Sequence, residues 1–79
     1  MARFYFDIYN DDVTIDDEGV ECINAALAHE SAVRAARALA CDEIKSKGRL
    51  NLGNRIVVRN SDKHEISAVL FGEAIEIIG

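Results

Sequence analysis

No proline, low-complexity tract or internal repeat interrupts the 79 residues. Nothing therefore reads as a linker, and residues 1–79 are expected to fold as a single domain around one small core. Apolar runs are short of the roughly 18 residues a membrane span requires, and the opening MARFYFD lacks the basic-then-apolar layout of a signal peptide. A cytoplasmic protein with no membrane role is expected. Cysteine is scarce. Cys22 and Cys41 are the only two, with no C-x-x-C pair, which excludes a disulfide framework or zinc ribbon and leaves two reduced thiols. Basic residues are also few, nine against fourteen acids for a formal charge of −5. Affinity for nucleic acid comes mostly from neutralising phosphates, so no direct nucleic-acid partner is expected. Gly48 and Gly53 are isolated and no G-K-[ST] follows them, which removes a phosphate-binding loop.

Reactive groups are equally sparse. His29, His64, Cys22 and Cys41 are the whole stock of soft ligands and imidazole–thiol chemistry. No pair of them has zinc-site spacing, and no local signature marks an activated nucleophile. The acids Asp7, Asp11, Asp12, Asp16, Asp17, Glu18 and Glu21 gather near the front, but without the D-x-[DN]-x-[DN]-G loop and distal Glu of a calcium site they read as a solvated acidic turn. No catalytic, cofactor-binding or metal residue is assigned, and no cofactor is expected.

What is present is a pattern. About half the residues are apolar and 29% are charged, the balance of a folded domain. The stretch Asn24 to Gly48 predicts one long amphipathic helix, with Asn24 as N-cap and Gly48 in the left-handed position that ends it. At 100° per residue Ala25, Ala28, Ala32, Val33, Ala35, Ala36, Leu39, Ala40 and Ile44 share a stripe, whereas Glu30, Arg34, Arg37 and Lys45 lie opposite. So much alanine lets the helix approach its partner surface closely, and that surface must supply the larger groups. Charge is uneven along the chain. Through Glu30 there are eight acids and only Arg3 as a base, and beyond it eight bases and six acids. Such an acidic pole can orient a protein partner.

Arg3 to Tyr9 alternates, with Phe4, Phe6 and Ile8 to one side and Arg3, Tyr5, Asp7 and Tyr9 to the other, the period of a strand. Asn10-Asp11-Asp12 turns the chain, Val13–Ile15 returns, and Asp16 to Gly19 turns it again. Val20 to Ile23 leads into the helix, Ile23 being placed to pack on its first turn. After the helix, Arg55–Arg59 and Glu65–Phe71 predict a second hairpin about Asn60–Lys63. Ala74–Ile78 is apolar enough to continue as a strand or dock on a neighbour. The fold class is α+β: a two-layer antiparallel sheet of about four strands, ordered ββαββ, with the long helix on one face. One helix cannot cover both faces. Tyr5, Val69, Phe71, Ile75, Ile77 and Ile78 are accordingly candidate interface residues, and a homodimer built through the last strand and the Ile75–Ile78 segment is expected, possible strand-edge pairing included.

The stretches Arg3-Phe4-Tyr5-Phe6-Asp7, Asp17-Glu18-Gly19-Val20-Glu21, the alanine-rich helix and Val57-Val58-Arg59-Asn60-Ser61-Asp62-Lys63 resemble a family of short uncharacterised bacterial proteins. That family, common in rhizobia and their relatives, is grouped as a domain of unknown function. Asn60 stands where the family has an acid, and Lys63 where it has a glycine. The resemblance implies a fold and no activity. The function expected is a non-catalytic protein–protein interaction or oligomerising module, not an enzyme, with a further unidentified protein as a partner. Two other classes stay open. One is a regulatory domain resembling the antitoxin half of HicB-type toxin pairs; the other is a small metal-binding protein or enzyme.

Overall fold

The computed structural model describes every residue from Met1 to Gly79. Along the chain run β1 (Ala2–Tyr9), β2 (Val13–Thr14), β3 (Val20–Cys22), α1 (Ala25–Lys47), β4 (Arg55–Arg59), β5 (Glu65–Leu70) and the short α2 (Phe71–Ala74). All strand pairs are antiparallel in a five-stranded sheet ordered β2-β1-β4-β5, with β3 also paired to β1. With α1 on one face, this is the expected α+β, two-layer architecture. No helix is long and apolar enough to cross a membrane.

The helix begins and ends where its caps are. The Asn24 side chain accepts from the Leu27 amide at 2.9 Å. Gly48 takes φ 67° and donates its N–H to the Ile44 carbonyl at 2.9 Å, closing the last turn in the left-handed geometry a glycine adopts without strain. Ala28, Ala32, Ala36 and Ala40 are fully buried at four-residue spacing, a line narrower than the predicted stripe because Ala25, Ala35 and Ile44 are exposed. The reason is placement: α1 lies chiefly over β4 and β5. Methyl groups bring it close, and the volume between is filled from the other layer by Phe4, Ile56, Val58, Val69 and Phe71. Each such large side chain contributes roughly 1.5–3 kcal/mol by leaving water. Beside β1 and β3 the helix leaves a shallow apolar groove lined by Phe6, Val20, Cys22, Ser31 and Ala35.

β2 and β3 are two pieces of one return strand along the outer edge of β1. Thr14 pairs with Ile8 and Val20 with Phe4, so the chain between them holds more residues than the ladder needs and bulges outward. Gly19 closes the bulge at φ 72°, and a Cβ there would sit 2.8 Å from the Phe4 carbonyl oxygen. Only glycine fits that approach. Val20–Cys22 was expected merely to lead into the helix; its pairing with β1 makes it a strand. Ile23 stays exposed instead of packing on the first turn of α1.

The end of the chain departs from the pattern more sharply. Ala74–Ile78 forms no strand. The amide of Phe71 donates to the Asn54 carbonyl and that of Gly72 to the Leu52 carbonyl, which draws the chain off the sheet toward the loop before β4. The Glu73 carboxylate then accepts from the Leu70 amide at 3.0 Å and stabilises the start of α2. The Arg37 guanidinium donates to the Ala74 carbonyl at 2.6 Å, fixing α2 to α1. The same loop is held from below, where Asn54 donates to the buried Glu43 carboxylate at 3.1 Å. Oε1 of Glu43 has no hydrogen-bond partner.

Candidate functional site

Alternation along the strands sends a different set of side chains to the face away from α1: Tyr5, Asp7 and Tyr9 from β1, Arg55, Val57 and Arg59 from β4, and Ala68 and Leu70 from β5. Asp7 is the odd member. It lies opposite Val57 in register and is only 1% exposed, although no helix covers it. An ionised carboxylate so placed must have its charge met. Oδ2 of Asp7 accepts from Nε of Arg59 at 2.5 Å, and Oδ1 accepts from the backbone amide of Asp16 at 3.0 Å. That ion pair holds the guanidinium of Arg59 above its ordinary pKa.

Asp16 extends the network into the bulge. Its Oδ2 accepts from the Phe6 amide at 3.0 Å, supplying the edge of β1 with the acceptor that the bulged chain withholds. Its Oδ1 accepts from the amides of Glu18 and Gly19 at 3.2 and 3.0 Å. Burial pushes the Asp16 pKa up, but the amides of Gly19, Phe6 and Glu18, with the charge of Arg3, outweigh it and hold the carboxyl below its usual value. Arg3 braces the same turn by donating to the Glu18 carbonyl at 2.7 Å.

Two cations lie over tyrosines on this face. The Arg55 guanidinium is 4.4 Å from the Tyr9 ring centre and the Lys63 ammonium 5.0 Å from that of Tyr5, within the range of cation–π attraction. Lys63 comes from the β4–β5 turn, where Oδ1 of Asn60 accepts from the amides of Asp62 and His64. Asn60 thus closes the turn with its side-chain oxygen. Lys63 itself adopts φ 65°, the sole non-glycine residue with positive φ, so the turn is closed in the left-handed geometry that glycine takes without strain. Tyr5, Asp7, Ile15, Asp16, Arg59 and Lys63 line a shallow pocket of about 250 Å³.

The acids of the front turn are dispersed among separate tasks. Asp11 pairs with Lys47 and with Arg49; the Lys47 hydrogen bond and charge, with Arg49 behind them, lower its pKa. No three Asp, Glu, His or Cys side chains converge as a metal-binding group. His29 meets Ser67 across the covered face at 3.1 Å, and Cys22 and Cys41 are separate free thiols.

Of the six candidate interface residues, Tyr5 is half-buried in the pocket wall, whereas Val69 and Phe71 are 2% and 0% exposed in the core beneath α1. Those two are unavailable to a partner. β5 presents its odd residues to the helix, and the turn into α2 swings Phe71 under it. Ile75 is half-buried, and Ile77 and Ile78 are 69% and 83% exposed. Asp7, Asp16, Arg59 and Lys63 were not anticipated as one cluster. A signal was available for the first: Asp7 is the sole acid in β1 and lies within its apolar and aromatic stretch from Phe4 to Tyr9, flanked at two-residue spacing by Tyr5 and Tyr9. A buried charge of that kind calls for a cross-strand cation.

A family model described as Domain of unknown function (DUF6894) matches residues 3–72. Comparison with curated proteins and with solved structures finds no match.

Proposed function

This chain belongs to the DUF6894 family, and we propose that it serves as a non-catalytic self-association and protein-interaction module, forming a homodimer through the outer part of its bare sheet face. The carrying observation is the apolar row that β5 leaves in solvent. Ile66, Ala68 and Leu70 are all exposed, no other element of the chain covers them, and exposed Ile77 and Ile78 follow a few residues later. A core of this size gains from association, because leaving such groups wet forfeits stabilisation that a second copy provides.

The mode of contact follows from the edge of β5. Extending the sheet strand to strand requires free backbone groups, but Glu73 caps the Leu70 amide and the register slips between Val58 and Arg59, so that Ile66 bulges. Both features blunt an edge. Packing of one bare face on another is therefore favoured over continuation of the ladder. Two separate thiols support a reducing, cytoplasmic setting for this module.

Light scattering on the intact chain at micromolar concentration should give a dimer mass, and Ala68→Lys should give a monomer with an unchanged circular dichroism spectrum. A monomer mass for the native chain defeats the proposal. A dimer that survives Ala68→Lys but not truncation after Ile75 transfers the interface to the tail.

A further inference from the structure

We propose that the pocket between Tyr5, Ile15, Arg59 and Lys63 is a binding site for a small carboxylate carried on a flat apolar body, an aryl carboxylate being the simplest case. The polar groups of the pocket differ in how far they are already committed. Both acids are spent inward: Asp7 on Arg59 and the Asp16 amide, Asp16 on the amides of Phe6, Glu18 and Gly19. Neither has a strong unmet need for a cation.

The two cations are not spent in the same way. Arg59 uses Nε on Asp7 and reaches the Lys63 carbonyl only at 3.5 Å through Nη1, which leaves the outer edge of the guanidinium with donors in hand. The Lys63 ammonium takes part in none of the five ion pairs and makes no hydrogen bond; its one neighbour of note is the Tyr5 ring. A planar fork beside an ammonium is a donor set suited to a carboxylate. Ile15, more than half exposed, and Tyr5 supply the apolar walls that an aryl group would cover.

The backbone at Lys63 adds a second, independent observation. Holding a lysine at φ 65° carries backbone strain that glycine would avoid. The turn needs only the left-handed geometry, whereas the lysine side chain brings a charge to the pocket mouth. Strain kept in place of the unstrained residue is the mark of a position held for what its side chain does.

The test is an amide NMR titration with sodium benzoate at constant ionic strength, run in the Ala68→Lys background so that self-association plays no part. Saturable shifts centred on Ile15, Asp16 and Lys63 are expected. Lys63→Gly should weaken binding about tenfold, the loss of one charge-assisted hydrogen bond, while its melting temperature stays at or above the parent's, so that loss of binding cannot be ascribed to misfolding. Lys63→Arg should retain binding. Shifts that do not saturate, or an equal affinity in Lys63→Gly, overturn the site. Inorganic phosphate is the second arm; saturable binding of phosphate without benzoate overturns the carboxylate assignment.

Discussion

On the covered face of the sheet Phe4, Ile56, Val58, Val69 and Phe71 meet the four buried alanines of α1; on the bare face, through the same strands, Asp7 is just as buried but is met by Arg59 and a backbone amide. The first face is held by area removed from water, a force without direction that tolerates exchange among groups of similar volume. The second is held by a chain of directed contacts, in which each partner depends on the next and removal of one leaves a charge unmet. A domain of this size thus excludes water from one side by packing and from the centre of the other by pairing, and the paired side retains polar groups at its surface.

The covered face is the more sensitive of the two to a single charge. Ala36 has no exposed surface, so Ala36→Glu places a carboxylate against the sheet with no cation to meet it, at a cost on the order of 4 kcal/mol or more. Arg34→Glu, two residues earlier, loses a solvent-exposed pair with Glu30 at 3.5 Å and a 3.3 Å bond to the Ser31 hydroxyl and sets like charges four residues apart, and it should shift stability by about 1 kcal/mol or less. Urea melts of the two variants measure the contrast, and equal midpoints would show that the alanine line does not face the core.

Arg59→Ala tests the bare face and should be next in size. It leaves Asp7 buried with one amide for company, and its urea midpoint should fall between those of Ala36→Glu and Arg34→Glu. The sharper experiment is the double variant Asp7→Leu with Arg59→Met. If the pair is held in balance against its own desolvation, replacing both members restores most of the stability that either single change removes. A double variant as unstable as the sum of the singles would mean that the network contributes more than charge pairing.

These two faces were legible in the sequence to different degrees. The helix was readable to the residue because both of its ends are local: a side chain that caps three residues on, and a glycine that tolerates positive φ. The alternation of β1 likewise assigned Phe4 to the core and Tyr5 to the other side. Hidden from any local reading was the pairing of residues distant in sequence. Arg59 lies 52 residues from Asp7, and nothing near either position announces the other. The tail failed for the same reason: its apolar composition suits a strand, but bonds from Phe71 and Gly72 to Asn54 and Leu52 decided its path, and those depend on the fold being formed. Lys63 is the reverse case: Asn60–Lys63 was readable as a turn from its residue types, but nothing local showed that the lysine would be the residue held at positive φ.

The smallest expected effect concerns Asp16, which joins the two parts of the return strand. In Asp16→Asn, Oδ1 can still accept from the Glu18 and Gly19 amides, but an NH2 group replaces the oxygen that faces the Phe6 N–H, setting donor against donor. A loss of about 1–2 kcal/mol is expected near neutral pH. The pH dependence has a definite sign. Because the folded protein holds the Asp16 carboxyl below its ordinary value of 3.8, its stabilisation is fully present above that value and is lost as the pH falls through the lower folded pKa. The native chain should therefore lose stability in acid more steeply than Asp16→Asn, with the difference between them narrowing below about pH 4. Urea midpoints measured at intervals from pH 7 to strong acid provide the comparison. Parallel curves would show that the amides of the bulge do not favour the charged carboxylate, and that the edge of β1 is completed by shape rather than by charge.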